Sequence, residues 1–360
     1  MRWWYEYLRP WIQRGYQPAA KPAPAMDWVG AEEPVALLAF CPTYAGATNQ
    51  ASQAETILEI ATQLADAALP SRALLIGMQC RPEERQQALQ RLDELRRMVT
   101  GAGVDCRGFV MPCFGKVRSV NAALAAAARW HAEGLLQVDD DIRLEPGCLA
   151  ALYRSWKAGG SRAAVGAAKA GHATRHRASQ VLLWLKRVTR PASNYPHACC
   201  LLLSPGLLGQ IPLRYVSDDG YICFQLLRPE FGDPFELLRI EPRALCHHTV
   251  GGPAGRSWLR IRRLLLNHHV LLSDAREPVS RFYIEHVLFP GFWPVGSGEG
   301  FHPLRWMLQA LYFCWFLSVG MELALRGWCG CPLDEIRWAG FENRERPQAP
   351  AAHTAPAVRP

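Results

Sequence analysis

A chain of 360 residues, 49% of them apolar, is long enough for one large core or two smaller ones. The formal charge of +8 points to anionic partners (nucleotides, phospholipid head groups or nucleic acid) without choosing among them. Twelve cysteines are scattered through apolar runs, as at Cys41, Cys148, Cys200, Cys223 and Cys314, so they exclude a disulfide framework and read as small core residues in a reducing compartment.

The N-terminus, Met1 to Trp11, mixes aromatic and basic residues without the apolar stretch or cleavage site of a secretory signal. That mixture suits a membrane–water interface, and it suits docking on the protein's own surface equally well. Residues 17–25 read as a Pro/Ala linker, which places the start of the folded domain near Pro34. Val35 to Phe40 is a first buried strand, ended by Cys41-Pro42-Thr43-Tyr44. A helix over 51–69, a strand over 73–78, an amphipathic helix over 82–99 and a short strand over 108–111 follow. Gly115-Lys116 then opens an alanine-rich helix that runs to about His131. This alternation predicts right-handed βαβ units and a largely parallel sheet.

Leu135-Leu136-Gln137-Val138 is a further buried strand, and Asp139-Asp140-Asp141 stands at its carboxyl end, with Pro146 starting a helix beyond it. Ligands of open α/β sheets collect at the carboxyl ends of strands. Three adjacent carboxylates repel one another, and burying even one without a partner is expensive. A divalent cation held by Asp139 and Asp141 and shared with a phosphate group resolves both problems, whereas the plainer reading is a solvated acidic turn.

From Ala151 through Arg190 there is no acidic residue and there are nine lysines and arginines, which reads as a phosphate- or membrane-facing wall or as a scattered basic surface. Cys199 to Ser204 is another strand. Ser217 or Asp218 caps a helix through Leu227, and Asp-Asp at a helix start is ordinarily just such a cap. Ala244 to Thr249 is a strand ending in His247 and His248, followed by a glycine-rich loop and the basic run Arg256 to Arg263. Neither a Walker sequence nor Gly-x-Gly-x-x-Gly is present, which speaks against ATPase and dinucleotide readings. Trp306 to Leu325 is almost wholly apolar, flanked by Arg305 and Arg326 with Trp306 and Trp328 near its ends. It reads as a membrane-embedded or interfacial helix, with Glu322 as a cost. Residues 345–360, rich in Pro and Ala, read as disordered.

Taken in order, these motifs resemble the family 2 glycosyltransferases over roughly residues 34–265. Val35 to Tyr44 resembles the family's first strand, Gly115-Lys116 with Asn121 its Gly-Lys-x-x-x-x-Asn segment, Asp139-Asp140-Asp141 its Asp-x-Asp metal motif, and Asp218-Asp219 its acidic pair. Two departures fall on base recognition: Ala45 follows Pro-Thr-Tyr where the family has Asn, and Gly77-Met78-Gln79-Cys80 stands where it has Asp-Asp-Gly-Ser. Arg256 to Arg263 occupies the place of a basic Gln/Arg-x-x-Arg-Trp motif without the Arg-Trp order.

The resemblance implies a GT-A-type α/β fold, Rossmann-like, with a mixed, largely parallel central sheet and flanking helices, and the residues themselves add the apolar C-terminal membrane-associated helix. It implies a nucleotide-sugar half over 34–150 and an acceptor half over 151–265, preceded by the aromatic/basic segment and linker over 1–33. A connecting segment over 266–300, an apolar helix over 301–330 and a disordered tail over 331–360 complete the chain. Asp219, with Asp218, would be the catalytic pair. Pro42, Thr43, Tyr44, Lys116, Asn121, Asp139, Arg256 and Arg260 would contact the donor. Asp139 and Asp141, with His247 or His248, would hold Mg²⁺ or Mn²⁺. The implied activity is inverting transfer from a nucleotide sugar, a UDP-sugar being the expected donor, to a glycan or lipid-linked acceptor. Its place would be the cytoplasmic face of the inner membrane or the cytoplasm, in envelope polysaccharide or glycolipid synthesis, with no nucleic-acid polymer as partner. A nucleotidyltransferase on a related fold and a catalytically degenerate binding scaffold are the alternatives.

Overall fold

The computed structural model describes residues 4–18, 25–46, 50–66, 71–113, 115–173, 177, 180–181, 183–184, 199–250, 254–290, 303–334 and 336. Most of the basic stretch beyond Ala173 and the tail from residue 337 lie outside the described residues.

Four apolar strands form a parallel block. β2 (Leu37–Tyr44) pairs with β3 (Arg72–Gln79), β3 pairs with β4 (Asp105–Met111), and β2 pairs on its other side with β5 (Gly134–Val138). The short strand β1 (Asp27–Val29) closes the β4 edge in antiparallel register. Beyond β5 come β8 (Cys200–Leu203), β7 (Ala164–Ala173), β9 (Leu238–Val250) and β6 (Ile142–Leu144). The order is β1-β4-β3-β2-β5-β8-β7-β9-β6, and β2, β3, β4, β5, β7 and β9 run the same way. This is the mixed, largely parallel α/β sheet with flanking helices that the motif order implies.

Side chains alternate across a strand, so a sheet buried on both faces feeds two cores. Leu38, Phe40 and Leu75 pack on one face, and Leu37, Ala39, Cys41, Leu74 and Ile76 on the other. The second face is covered by α2 (Gln50–Asp66), α3 (Arg85–Gly101) and α5 (Cys148–Ala158). The first is covered by α4 (Lys116–Arg129), α6 (Asp218–Leu226), α7 (Ala254–Asp274), the short α8 (Glu277–Phe282), α1 (Tyr5–Gly15) and α9 (Pro303–Trp328). Each fully buried leucine, isoleucine or phenylalanine in these layers stabilises by roughly 1.5–3 kcal/mol.

β2 continues through Cys41-Pro42-Thr43-Tyr44, where the sequence predicts its end. Proline is tolerated because pairing with β5 stops at Phe40, which leaves Pro42 a neighbour only in β3. Of the two readings of the N-terminus, docking is the one observed: Tyr5 and Ile12 are fully buried, and α1 lies along α9. None of the twelve cysteines forms a disulfide, and eight of them are buried.

Candidate active site

β5 ends beside β2, with Phe40 opposite Gln137, while β2 runs on to Tyr44, and the Asp139–Asp141 turn leaves the end of β5 next to Thr43. The middle carboxylate serves the scaffold. Asp140 Oδ2 accepts from Thr43 Oγ1 at 2.7 Å and from Gln53 Nε2 of α2 at 3.1 Å, while Gln53 also donates to the Tyr44 carbonyl at 3.2 Å. Asp139 is anchored through its backbone, its N–H donating to the Cys199 carbonyl at 2.9 Å. Asp141 is half-exposed.

α4 brings the cation. Gly115 adopts φ 137°, a conformation that L side chains avoid, and its N–H donates to the buried Gln79 side chain at 2.8 Å. That turn aims Lys116 inward, so its Nζ lies 2.7 Å from Asp139 Oδ1 and 3.5 Å from Asp218 Oδ2. Asp218 is only 2% exposed and also accepts from Gln137 Nε2 of β5. Burial pushes Asp218 above the usual carboxylate range against the pull of Lys116. Burial alone would push Lys116 down, but Asp139, Asp218 and Asp219 together hold it above its ordinary value.

Asp219 is held differently. Ser217 caps α6, its Oγ accepting from Gly220 N–H at 3.2 Å, and the Ser217 hydroxyl donates to Asp219 Oδ1. Gly220 N–H donates to the same oxygen at 2.9 Å. The carboxylate therefore sits half-exposed at a helix N-terminus, where negative charge is favoured.

Thus the structure brings together Thr43, Tyr44, Lys116, Asp139 and Asp218, with Asp219 adjoining on α6. Asn121 points away from this group. Its side chain both donates to and accepts from the Ile211 backbone at 2.8 Å, tying α4 to the segment that leads into α6. Arg260 is exposed on the first turns of α7, and the Arg256 side chain lies outside the described residues. The two histidines face opposite ways across β9. His247 Nε2 meets Glu145 Oε1 at 2.5 Å and its Nδ1 bonds to His172 Nε2, so both ring nitrogens are engaged. Burial, then the neighbouring His247 ring, pushes His172 below its usual range. His248 donates Nδ1–H to the Ala170 carbonyl at 3.0 Å and stands in register with Ile142, the residue after Asp141.

Three glutamines that the motif reading passed over complete the arrangement: Gln53, Gln79 and Gln137. Gln137 was visible in principle, being the one polar side chain of a five-residue buried strand, and a buried amide requires a partner. Gln53 falls on the apolar stripe of α2 with Ile57 and Ile60, a position that carries the same signal.

No protein-family model and no curated protein sequence matches this chain. Among solved structures, it is similar to a mannosyltransferase of Pyrobaculum calidifontis, described in complex with GDP-Man and Mn²⁺. That likeness has 17% identity and a TM-score of 0.48, over 90% of this chain and 93% of that one. A mycobacterial protein aligns at 14% identity and a TM-score of 0.39, covering 66% of this chain and 74% of the other. Glucosyl-3-phosphoglycerate synthase from Mycobacterium tuberculosis, described in complex with Mn²⁺, UDP-glucose and phosphoglyceric acid, aligns at 13% identity and a TM-score of 0.38. That match covers 66% of this chain and 79% of that one. At this level the likeness is one of outline.

Among the described residues no three His, Cys, Asp or Glu side chains form a ready metal cage. The donor set nonetheless fits a hard cation of the kind that takes one or two carboxylates and completes its shell with substrate phosphates and water. Asp139 and Asp141 supply carboxylates on either side of the engaged Asp140. His248 gives its Nδ1–H to a backbone carbonyl, so it would ligate a cation through Nε2.

Proposed function

We propose that this chain is an inverting, divalent-cation-dependent glycosyltransferase that moves a sugar from a nucleotide-sugar donor to a hydroxyl of a glycan or lipid-linked acceptor. The observation that carries the reading is the convergence of two acidic motifs, far apart in sequence, on the single ammonium of Lys116 at the carboxyl end of the parallel block. A donor diphosphate needs positive charge there, and Lys116 supplies a fixed one. Asp139 and Asp141, with His248, would hold Mg²⁺ or Mn²⁺, which when bound neutralises the departing nucleotide diphosphate. Asp219, half-exposed and oriented by Ser217 and the α6 N-terminus, accepts the proton of the acceptor hydroxyl. Asp218, buried behind it, fixes Lys116 and Gln137 rather than meeting substrate.

Pro42, Thr43 and Tyr44 line the donor side of the same strand end, and a UDP-sugar is the donor we expect. Envelope polysaccharide or glycolipid synthesis at the cytoplasmic face of the inner membrane is the setting that such an acceptor implies. The opposing reading, a transferase-like scaffold without turnover, draws on the same lysine, since Lys116 already neutralises Asp139 and Asp218 without any ligand. A panel of nucleotide sugars assayed for nucleotide release with the wild-type chain and Asp219→Asn separates the two. Transfer by the wild type that falls on the order of 10²–10⁴-fold in the variant supports the enzyme reading. Equal turnover in both overturns the role of Asp219.

A further inference from the structure

The layer made by α1, α7 and α9 has two unlike sides. Inward, α9 packs closely: its Phe316 stacks on His269 of α7 at 4.0 Å, and Gly327 leaves no room for a side chain against the Trp11 backbone of α1. Outward, Met307, Leu311, Met321, Leu325 and Trp328 are exposed, Leu311 to 62% and Trp328 to 70%. With Cys314 and Ser318 between them these positions are spaced 4-3-4-3-4-3, one unbroken stripe along the helix. Trp306 stands beside its start, so tryptophans mark both ends, 22 residues or about 33 Å apart. The apolar surface continues onto α7, where Trp258 is 55% exposed and stacks on Trp315 at 3.9 Å, with exposed Leu259 next to it.

Three features of this face decide what covers it. It is wider than the seam of a two-helix coil, because it spans two helices. Its charge is one-signed: among the described side chains of α7 are Arg260, Arg262 and Arg263, with no acidic residue before Asp274. The one acidic residue of α9, Glu322, is clamped by Arg262 at 2.6 Å and Arg326 at 3.2 Å. Tryptophans beside arginines at an apolar boundary match the headgroup level of a bilayer. Finally, the opposite face of α9 is occupied by protein, with Phe316, Val319, Gly320 and Leu323 buried, so the helix stays on the domain along its length.

We propose that this face is a membrane-docking surface, on which α9 and the start of α7 lie flat in the headgroup layer of an anionic bilayer without crossing it. The inference does not rest on the catalytic reading. It bears on it, since α7 also supports the start of α6, which carries Asp218 and Asp219: Asn267 Oδ1 accepts from Val216 N–H at 3.3 Å, and Gly220 abuts Leu271.

The test is sedimentation of the full chain with vesicles of phosphatidylcholine alone and of phosphatidylcholine mixed with phosphatidylglycerol. The wild type is expected to partition to the mixed vesicles, less so at high salt, with its tryptophan fluorescence quenched by brominated lipid. Leu311→Glu with Leu325→Glu, both at exposed positions, is expected to lower partitioning at least about tenfold while the thermal melt is unchanged. Quenching by brominated lipid is read on the wild type and so holds even if the double variant folds poorly. No partitioning by the wild type, or equal partitioning of the variant, overturns the proposal. So does a wild-type dimer that ignores vesicles and is split by the same substitutions, which would make the stripe a seam between copies. Protection of the chain's C-terminal end from protease added outside sealed vesicles would show a span and overturn it too.

Discussion

Replacing Lys116 by methionine keeps the length of the side chain and removes the charge between Asp139 and Asp218. The ammonium lies 2.7 Å from one carboxylate and 3.5 Å from the other, and Asp218 is almost wholly buried. At an effective dielectric of about 20, a unit pair at the longer distance is worth roughly 5 kcal/mol before desolvation. Removing one partner of a buried pair costs about 3–5 kcal/mol, because the other charge is stranded. The lysine side chain is 22% exposed, which puts the expected loss at the lower end, about 3 kcal/mol. Asp218→Asn in the same background removes the stranded charge and leaves an amide for Gln137, so the double variant is expected to regain about half of that loss. Urea unfolding of the wild type, both single variants and the double variant measures the cycle. A loss below about 0.5 kcal/mol for Lys116→Met, the range of an ordinary surface substitution, would refute the reasoning. Strict additivity in the double variant would do the same.

Two further predictions concern the helix layer. His269 is fully buried, with Nε2 at 2.8 Å from the Phe316 carbonyl and Nδ1 at 3.1 Å from the Tyr5 hydroxyl, so it fits as the neutral ring. Burial pushes its pKa down to about 4. A depressed value means stability that is complete above the unfolded-state pKa near 6.5 and lost as pH falls toward 4, roughly 3 kcal/mol in all. Denaturant midpoints at pH 7 and pH 4.5 are expected to differ accordingly, and His269→Gln is expected to flatten that part of the dependence. Gly15→Ala places a methyl group 1.9 Å from the Leu323 carbonyl oxygen, so α1 must move off α9. A loss of at least about 2 kcal/mol is expected by thermal or denaturant unfolding, with unchanged stability as the contrary result.

Much of this architecture is legible in the residues. Strands β2, β3 and β5 are continuous apolar runs because both their faces are covered, and such runs stand out without any partner in view. The acidic triplet marks the end of β5 and Ser217 its helix cap for the same kind of reason, since each is a local pattern with a local cause. What escaped was set by partners remote in sequence. β6 is three residues long and exists because Ile142 to Leu144 meet β9 across some hundred residues. β7 reads Ala-Val-Gly-Ala-Ala-Lys-Ala-Gly-His-Ala, with one β-branched side chain, and is a strand only through its neighbours β8 and β9.

The site follows the same division. The proximity of Lys116 to two aspartates depends on a tertiary meeting of α4, β5 and α6, which no spacing announces. The opposed settings of His247 and His248 follow from alternation along β9 and could have been anticipated once that strand was drawn. The partners of His247, Glu145 and His172, could not.

The most direct test of the account is release of nucleoside diphosphate from a panel of UDP- and GDP-sugars by the purified chain, with Mn²⁺ or Mg²⁺ and again after chelation. The account predicts turnover of at least one donor that disappears with the chelator and returns with added metal, and that is lost when Asp139 or Asp141 is changed to asparagine. Donors left intact under every condition, with no cation bound by the wild-type chain, would contradict it.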